Sequence, residues 1–198
     1  MKKNWKTSSR FLGWILIGAS SVGLLASFTL LHETFELAKN PSYNPTCNIN
    51  VFIGCKSAMA SKEADILFGI PNPAYGIAAF SALFVFGVLV LAGTAFKPWI
   101  WLVGVGAAGL GLLGCVFLYL TSLFSLGMIC PWCFATWVIT IATFWALVTH
   151  AVAADRFSVP TWLQRAKDGW LRYSVGILVA IYFLLIFGIL VHFNQALF

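Results

Sequence analysis

Residues 97–155 read KPWIWLVGVGAAGLGLLGCVFLYLTSLFSLGMICPWCFATWVITIATFWALVTHAVAAD, with one charged residue at each end and none between. A helix that crosses the hydrocarbon core of a bilayer needs about 20 predominantly apolar residues at roughly 1.5 Å of rise each. The stretch therefore has room for two crossings, expected over residues 98–121 and 132–152. Working outward, residues 11–32, 66–96 and 173–198 also lack a formal charge. Each holds one further span, expected over 11–32, 76–96 and 174–193. The composition agrees: of the 198 residues, 61% are hydrophobic and 9% charged, whereas a soluble domain has about 45–50% apolar and about 25% charged residues. A water-soluble fold is excluded, and the expected class is an all-α membrane protein with five spans.

Lys2, Lys3 and Lys6 ahead of the first apolar run also suit a signal peptide, but the run exceeds the usual h-region of about 7–15 residues and no A-x-A site closes it. An uncleaved first helix is expected. Direction follows from the basic residues, which are retained on the cytoplasmic side of a span. With the N-terminus inside, nine of the twelve Lys and Arg lie on inner segments, and only Lys39, Lys56 and Lys62 lie outside. The net charge of +6 is thus a topology signal. The basic residues form no single stripe, so nucleic acid is not an expected partner. Residues 33–75 form the long outer loop, with a short helix expected over Ser57–Phe68. Residues 153–173 form an inner loop, with Trp162 and Trp170 at the membrane surface.

Five cysteines are present, Cys47, Cys55, Cys115, Cys130 and Cys133. Cys115 falls within the third span and reads as a small buried apolar residue. The other four meet at the outer face, where disulfides persist. Cys130-Pro-Trp-Cys133 suits thiol–disulfide exchange, because Pro131 is tolerated in the first turn of a helix and leaves Cys133 beside the unpaired N–H groups and positive dipole end. Such sites favour the thiolate, the attacking species. A structural zinc site and an inert disulfide are the alternatives, and four cysteines allow three pairings. Below the pair, Cys130, Cys133, Trp137, Ile141 and Phe144 follow helical spacing along one face. A thiol above a membrane-embedded aromatic face suits a flat, apolar oxidant such as a quinone. Gly104/Ala108 and Ala107/Gly111 read as bundle packing.

The ordered set Cys47-x7-Cys55-x5-Ser61, then Gly69-Ile-Pro-Asn72 and Gly76 entering a span, then Cys130-Pro-Trp-Cys133 entering another, resembles the vitamin K epoxide reductase family over roughly residues 11–153. The resemblance implies a four-helix bundle around a quinone of ubiquinone, menaquinone or vitamin K type, here residues 1–153, with residues 154–198 adding an inner loop and a fifth transmembrane helix. It implies an oxidoreductase in which a reduced partner attacks Cys47, Cys55 exchanges with Cys130, and Cys133 reduces the quinone. Ser61 matches the family serine that orders the redox site. Asn72 matches a position that in vertebrate members bonds a quinone carbonyl, although Asn before Pro also signals a helix start. Trp137 stands where vertebrate relatives carry tyrosine, and an indole donates a hydrogen bond but accepts none.

The fifth helix resembles bacterial members, many of which continue into a thioredoxin-like domain. With the chain ending at Phe198, a separate thioredoxin-fold thiol protein on the outer side is the expected partner, in a bacterial cytoplasmic membrane with the cysteines facing the periplasm. The expected activity is disulfide generation by a quinone-dependent thiol oxidase. Reduction of a quinone or of vitamin K epoxide as the physiological purpose is the alternative within enzymes. A metal-stabilised, non-catalytic membrane protein is the alternative outside them.

Overall fold

The computed structural model describes residues 5–50, 52–65, 68–154 and 164–197. Its elements are α1 (Trp5–Lys39), a short α2 (Lys56–Ala60) followed by a 3-10 turn (Lys62–Asp65), α3 (Asn72–Leu91), α4 (Pro98–Thr121) running into a π-helical turn (Ser122–Leu126), α5 (Pro131–Ala153) and α6 (Gln164–Leu197). Five helices are long and apolar enough to cross a membrane, so the chain is an all-α membrane protein. Three of them start on proline in the first turn, Pro73, Pro98 and Pro131. There the missing N–H has no intrahelical partner to lose and the fixed φ is already helical.

The helices alternate in direction. The C-terminal ends of α1, α4 and α6 and the N-terminal ends of α3 and α5 gather at the end that holds Cys47, Cys55, Cys130 and Cys133. α1 packs between α3 and α5, α4 packs on the other side of α5, and α6 is attached to α5. At the opposite end Leu12, Leu16, Val90, Trp101 and Leu147 form the buried core. Phe86, Phe96 and Trp101 close the space between α3 and α4 there.

Helices in lipid gain no hydrophobic energy by associating, so close backbone approach through small residues carries the packing. The tight seam is α1 against α3. A Cβ on Gly13 would lie 2.9 Å from that of Leu91, one on Gly87 2.9 Å from that of Leu16, and one on Gly23 2.6 Å from the Phe80 ring. The α4 glycines expected to pack the bundle make only ordinary contact, with Phe144 at 3.4 Å from Gly109 and Thr140 at 3.8 Å from Gly111, while Gly106 and Gly114 meet nothing within 4 Å.

The fifth span starts earlier than the expected residue 174. α6 begins at Gln164, and Trp170, expected at the membrane surface of a loop, stacks on Trp145 of α5 at 4.2 Å and donates its indole N–H to Thr149 Oγ1 at 3.2 Å. Tyr182 and Tyr119 add hydroxyl bonds to the carbonyls of Val138 and Leu185, tying α6 to α5 and α4. Lys2, Lys3, Arg156 and Trp162 lie outside the described residues.

Candidate redox site

α1 is 35 residues long, about 50 Å at 1.5 Å per residue, and so extends past a hydrocarbon core of about 30 Å. Its last turns rise beside the loop that carries the first two cysteines. Cys47 and Cys55 are joined in a disulfide, with an S–S distance of 2.03 Å. Their sulfurs are thus engaged with each other, and a four-thiolate zinc site is not formed in this state. Among the described residues, no three His, Cys, Asp or Glu side chains are grouped to hold a metal.

The Cys130 thiol approaches the same disulfide. Its Sγ lies 3.0 Å from Cys55 Sγ, so Cys55 is bonded to one sulfur and in contact with the next. Cys55 is fully buried and Cys130 nearly so, whereas Cys47 retains 6% exposure. Leu30 of α1 completes this buried cluster, and Ala58, Met59, Trp132 and Cys133 pack against it.

Three local devices hold Cys55 against Cys130. The segment after the π turn is clasped to the loop by a parallel bridge between Ile53 and Ile129, through Gly54 N–H to Ile129 O at 3.1 Å and Ile129 N–H to Phe52 O at 2.9 Å. Gly127, at φ 64°, turns the chain out of α4 into that bridge in a left-handed conformation that favours glycine. The Asn48 carboxamide oxygen accepts the N–H of Cys55 at 2.8 Å and of Lys56 at 3.2 Å, which satisfies the start of α2 from outside the helix. Ser57 and Ser122 bond Met128 from the two sides, through its sulfur and its carbonyl.

At the mouth of α5 the helix-terminal sulfur is that of Cys130. Cys130 is the N-cap and its Sγ accepts the backbone N–H of Cys133 at 3.4 Å. Hydrogen bonding from the Cys133 side chain, and from the N–H groups of Cys133 and Trp132, pulls the Cys130 thiol below its ordinary pKa against the opposing effect of burial. The thiolate-favouring position at the dipole end is therefore Cys130, one turn above the residue for which it was expected. Cys133 follows in the first turn of the helix.

Trp137 lies one turn deeper on α5, buried, with the ring of Tyr119 from α4 edge-on at 5.4 Å. Cys133 thus stands one turn above a buried aromatic pair inside the span. Cys115 lies on α4, half-buried and outside the four-sulfur cluster. Ser61 ends α2, and its hydroxyl is used locally on the Ala58 carbonyl at 3.0 Å. Asn72 is the first residue of α3, with Pro71 as the cap, and its side-chain N–H bonds the Glu63 carbonyl at 2.6 Å. Both polar groups fasten the outer loop.

The sequence reading did not single out Asn48 or Glu33. Glu33, only 3% exposed, accepts the Thr46 hydroxyl at 2.5 Å and the Thr46 N–H at 3.3 Å on one carboxylate oxygen, directly before Cys47. The same carboxylate holds the proton of Tyr43, whose pKa is pushed up. The available signal was an acid at the end of an apolar run, where the expected span had already stopped.

The chain matches the family model described as the vitamin K epoxide reductase family over residues 14–149. No curated protein gave a match. The match covers more than half of the chain, which belongs to the vitamin K epoxide reductase family and is accordingly an oxidoreductase whose redox chemistry uses a quinone.

Proposed function

We propose that this family member is a quinone-dependent dithiol oxidase that generates disulfides in a thioredoxin-fold partner on the outer face of a bacterial cytoplasmic membrane. The observation that carries the reading is the row of sulfurs in which Cys55, bonded to Cys47, lies 3.0 Å from Cys130. Residues 1–153 are the redox unit, and residues 154–198 add the fifth helix.

A thiolate of the reduced partner attacks Cys47, the more exposed sulfur of the pair. The partner–Cys47 bond forms, the Cys47–Cys55 bond breaks, and Cys55 leaves as a thiolate. The second partner thiol displaces Cys47 and closes the partner disulfide. Two electrons now reside on Cys47 and Cys55. Cys55 attacks Cys130 of an oxidised Cys130–Cys133 pair and expels Cys133, after which Cys47 attacks Cys55, restores the loop disulfide and releases Cys130. This reading is supported by the loop pair being a disulfide while Cys130 and Cys133 are thiols, the arrangement such a transfer would leave. Cys130 and Cys133 would then close to a disulfide, for which a quinone, when bound, would supply the acceptor of two electrons and two protons. Direction follows the reduction-potential difference, at about 30 mV for 1.4 kcal/mol in a two-electron couple.

Support for the orientation comes from Arg10, Lys97, Lys167 and Arg172, which lie at helix ends away from the cysteines, where retained positive charge belongs on the inner side. The test is Cys133→Ala. It is expected to abolish quinone-driven oxidation of a dithiol partner and to accumulate a Cys55–Cys130 linkage. Partner oxidation at the wild-type rate in that variant would refute the reading.

A further inference from the structure

Glu33 has an environment that packing alone does not explain. Its carboxylate is 3% exposed and is held by donors of the loop, the Thr46 hydroxyl and N–H and the Tyr43 hydroxyl. Among the described residues, the one Lys–carboxylate pair nearby is Lys39 with Glu36, at 2.7 Å. Burying a carboxylate without a cationic partner carries a large desolvation cost, normally offset by pairing or complete hydrogen bonding. The groups around it are His32, Glu36 and Lys39 on α1 and Tyr43 and Thr46 on the loop. One turn earlier on α1, Leu30 packs into the cluster of Cys47, Cys55 and Cys130. A single face of α1 therefore touches the sulfurs with Leu30 and grips the residue before Cys47 with Glu33.

We propose that Glu33 is the positioning residue of the loop pair: through Thr46 it seats Cys47, and its charge steers negative charge from Cys47 onto Cys55. This rests on the dithiol oxidase reading. Cys47 is one residue, about 3.8 Å of chain, from the Thr46 groups that the carboxylate holds. A thiolate on Cys47 would form one residue from the groups that hold this like charge, in a buried cluster, which disfavours it. Cys55 sits next to Cys130 and has its N–H on Asn48. Attack by the partner on Cys47 then expels the better leaving group, Cys55. In the inward step the thiolate resides on the sulfur that touches Cys130. Its attack forms the Cys55–Cys130 bond and breaks Cys130–Cys133, and the proton that Cys47 loses when it closes on Cys55 balances the one taken up by the displaced Cys130.

Two measurements test this on the full chain in nanodiscs. In the fully reduced protein, iodoacetamide alkylation of Cys47 and Cys55 is followed separately by peptide mass spectrometry across pH. Glu33→Gln keeps an acceptor for Thr46 and removes the charge. It is expected to speed alkylation of Cys47 relative to Cys55 by about tenfold near neutral pH, the effect of roughly one pKa unit. An unchanged ratio overturns the steering. This readout requires neither quinone nor partner, so it stands whether or not the oxidase reading holds. In quinone-driven oxidation of dithiothreitol, Glu33→Ala is expected to slow turnover at least tenfold while Glu33→Gln retains most of it. A Glu33→Ala protein as fast as wild type overturns the seating.

Discussion

Asn48→Ala isolates the device that presses Cys55 against Cys130. The side chain lies between the two loop cysteines and its oxygen takes two backbone N–H groups, those of Cys55 and Lys56. Its N–H also bonds Asn44 Oδ1 at 2.8 Å, an exposed contact that contributes little. A hydrogen bond adds about 0.5–1.5 kcal/mol net, and a donor left unpaired costs about 1–3 kcal/mol when water cannot reach it. Both N–H groups are part-buried, so water compensates in part, and the loss comes to about 1.5 kcal/mol, or about tenfold in the population of the seated loop. The bridge through Ile53 and Ile129 remains, so the fold is retained. The assay uses Cys47→Ser with Cys133→Ser, which leaves Cys55 and Cys130 as the only pair at the site. Equilibration against glutathione then gives their effective concentration. Asn48→Ala is expected to lower it about tenfold. A change under twofold would refute the claim that this carboxamide sets the approach.

Gly87→Ala drives a Cβ to 2.9 Å from that of Leu16 and 3.2 Å from the backbone N of Ile17, and is expected to destabilise the bundle by about 1–3 kcal/mol. Gly114→Ala enters open space and is expected to be neutral; thermal unfolding in detergent separates the two. Asn72→Ala removes the bond to the Glu63 carbonyl, and is expected to raise proteolysis of the outer loop while changing the KM for quinone by no more than about fivefold, since one neutral hydrogen bond of the loop is worth about 1 kcal/mol. Because the Cys130 thiol is held below its ordinary pKa, its thiolate is expected to persist, by ultraviolet difference absorbance against Cys130→Ser, at a pH where an ordinary thiol is protonated. Its ionisation stabilises the fold above the unfolded thiol pKa, and that contribution is lost as pH falls through the folded value.

The spans were legible because charge is so costly in hydrocarbon that its absence alone marks the crossings. The four site cysteines were legible because exchange chemistry restricts their spacing and their place at a helix end. Trp170 was less so: an indole suits the membrane interface and a helix-packing site equally, and only its stack on Trp145 decides between them. The seam was hidden for a related reason. α4 shows the denser run of glycines, yet the closest approach is at Gly13, Gly23 and Gly87, because close packing needs a bulky partner opposite each glycine, which a single strand of sequence does not display. Asn48 and Glu33 act through backbone groups 7 and 13 positions away, and no residue-type pattern encodes such pairings.

The proposed relay has two requirements that oppose each other. Transfer inward needs Cys55 and Cys130 in contact and dry, which the bridge, Asn48 and Leu30 provide. Transfer from a partner needs Cys47 to be reached by a foreign sulfur, and 6% exposure is too little for in-line attack on the seated loop. The loop must therefore shift at Cys47 without releasing Cys55. Its fastenings are distributed to permit this: Cys55 is held by the bridge and by Asn48, whereas the grip beside Cys47 is the Thr46–Glu33 contact. That contact has to open for partner attack and re-form to seat Cys47 for its closure on Cys55, so its permanent loss in Glu33→Ala slows turnover even though the inward junction remains closed.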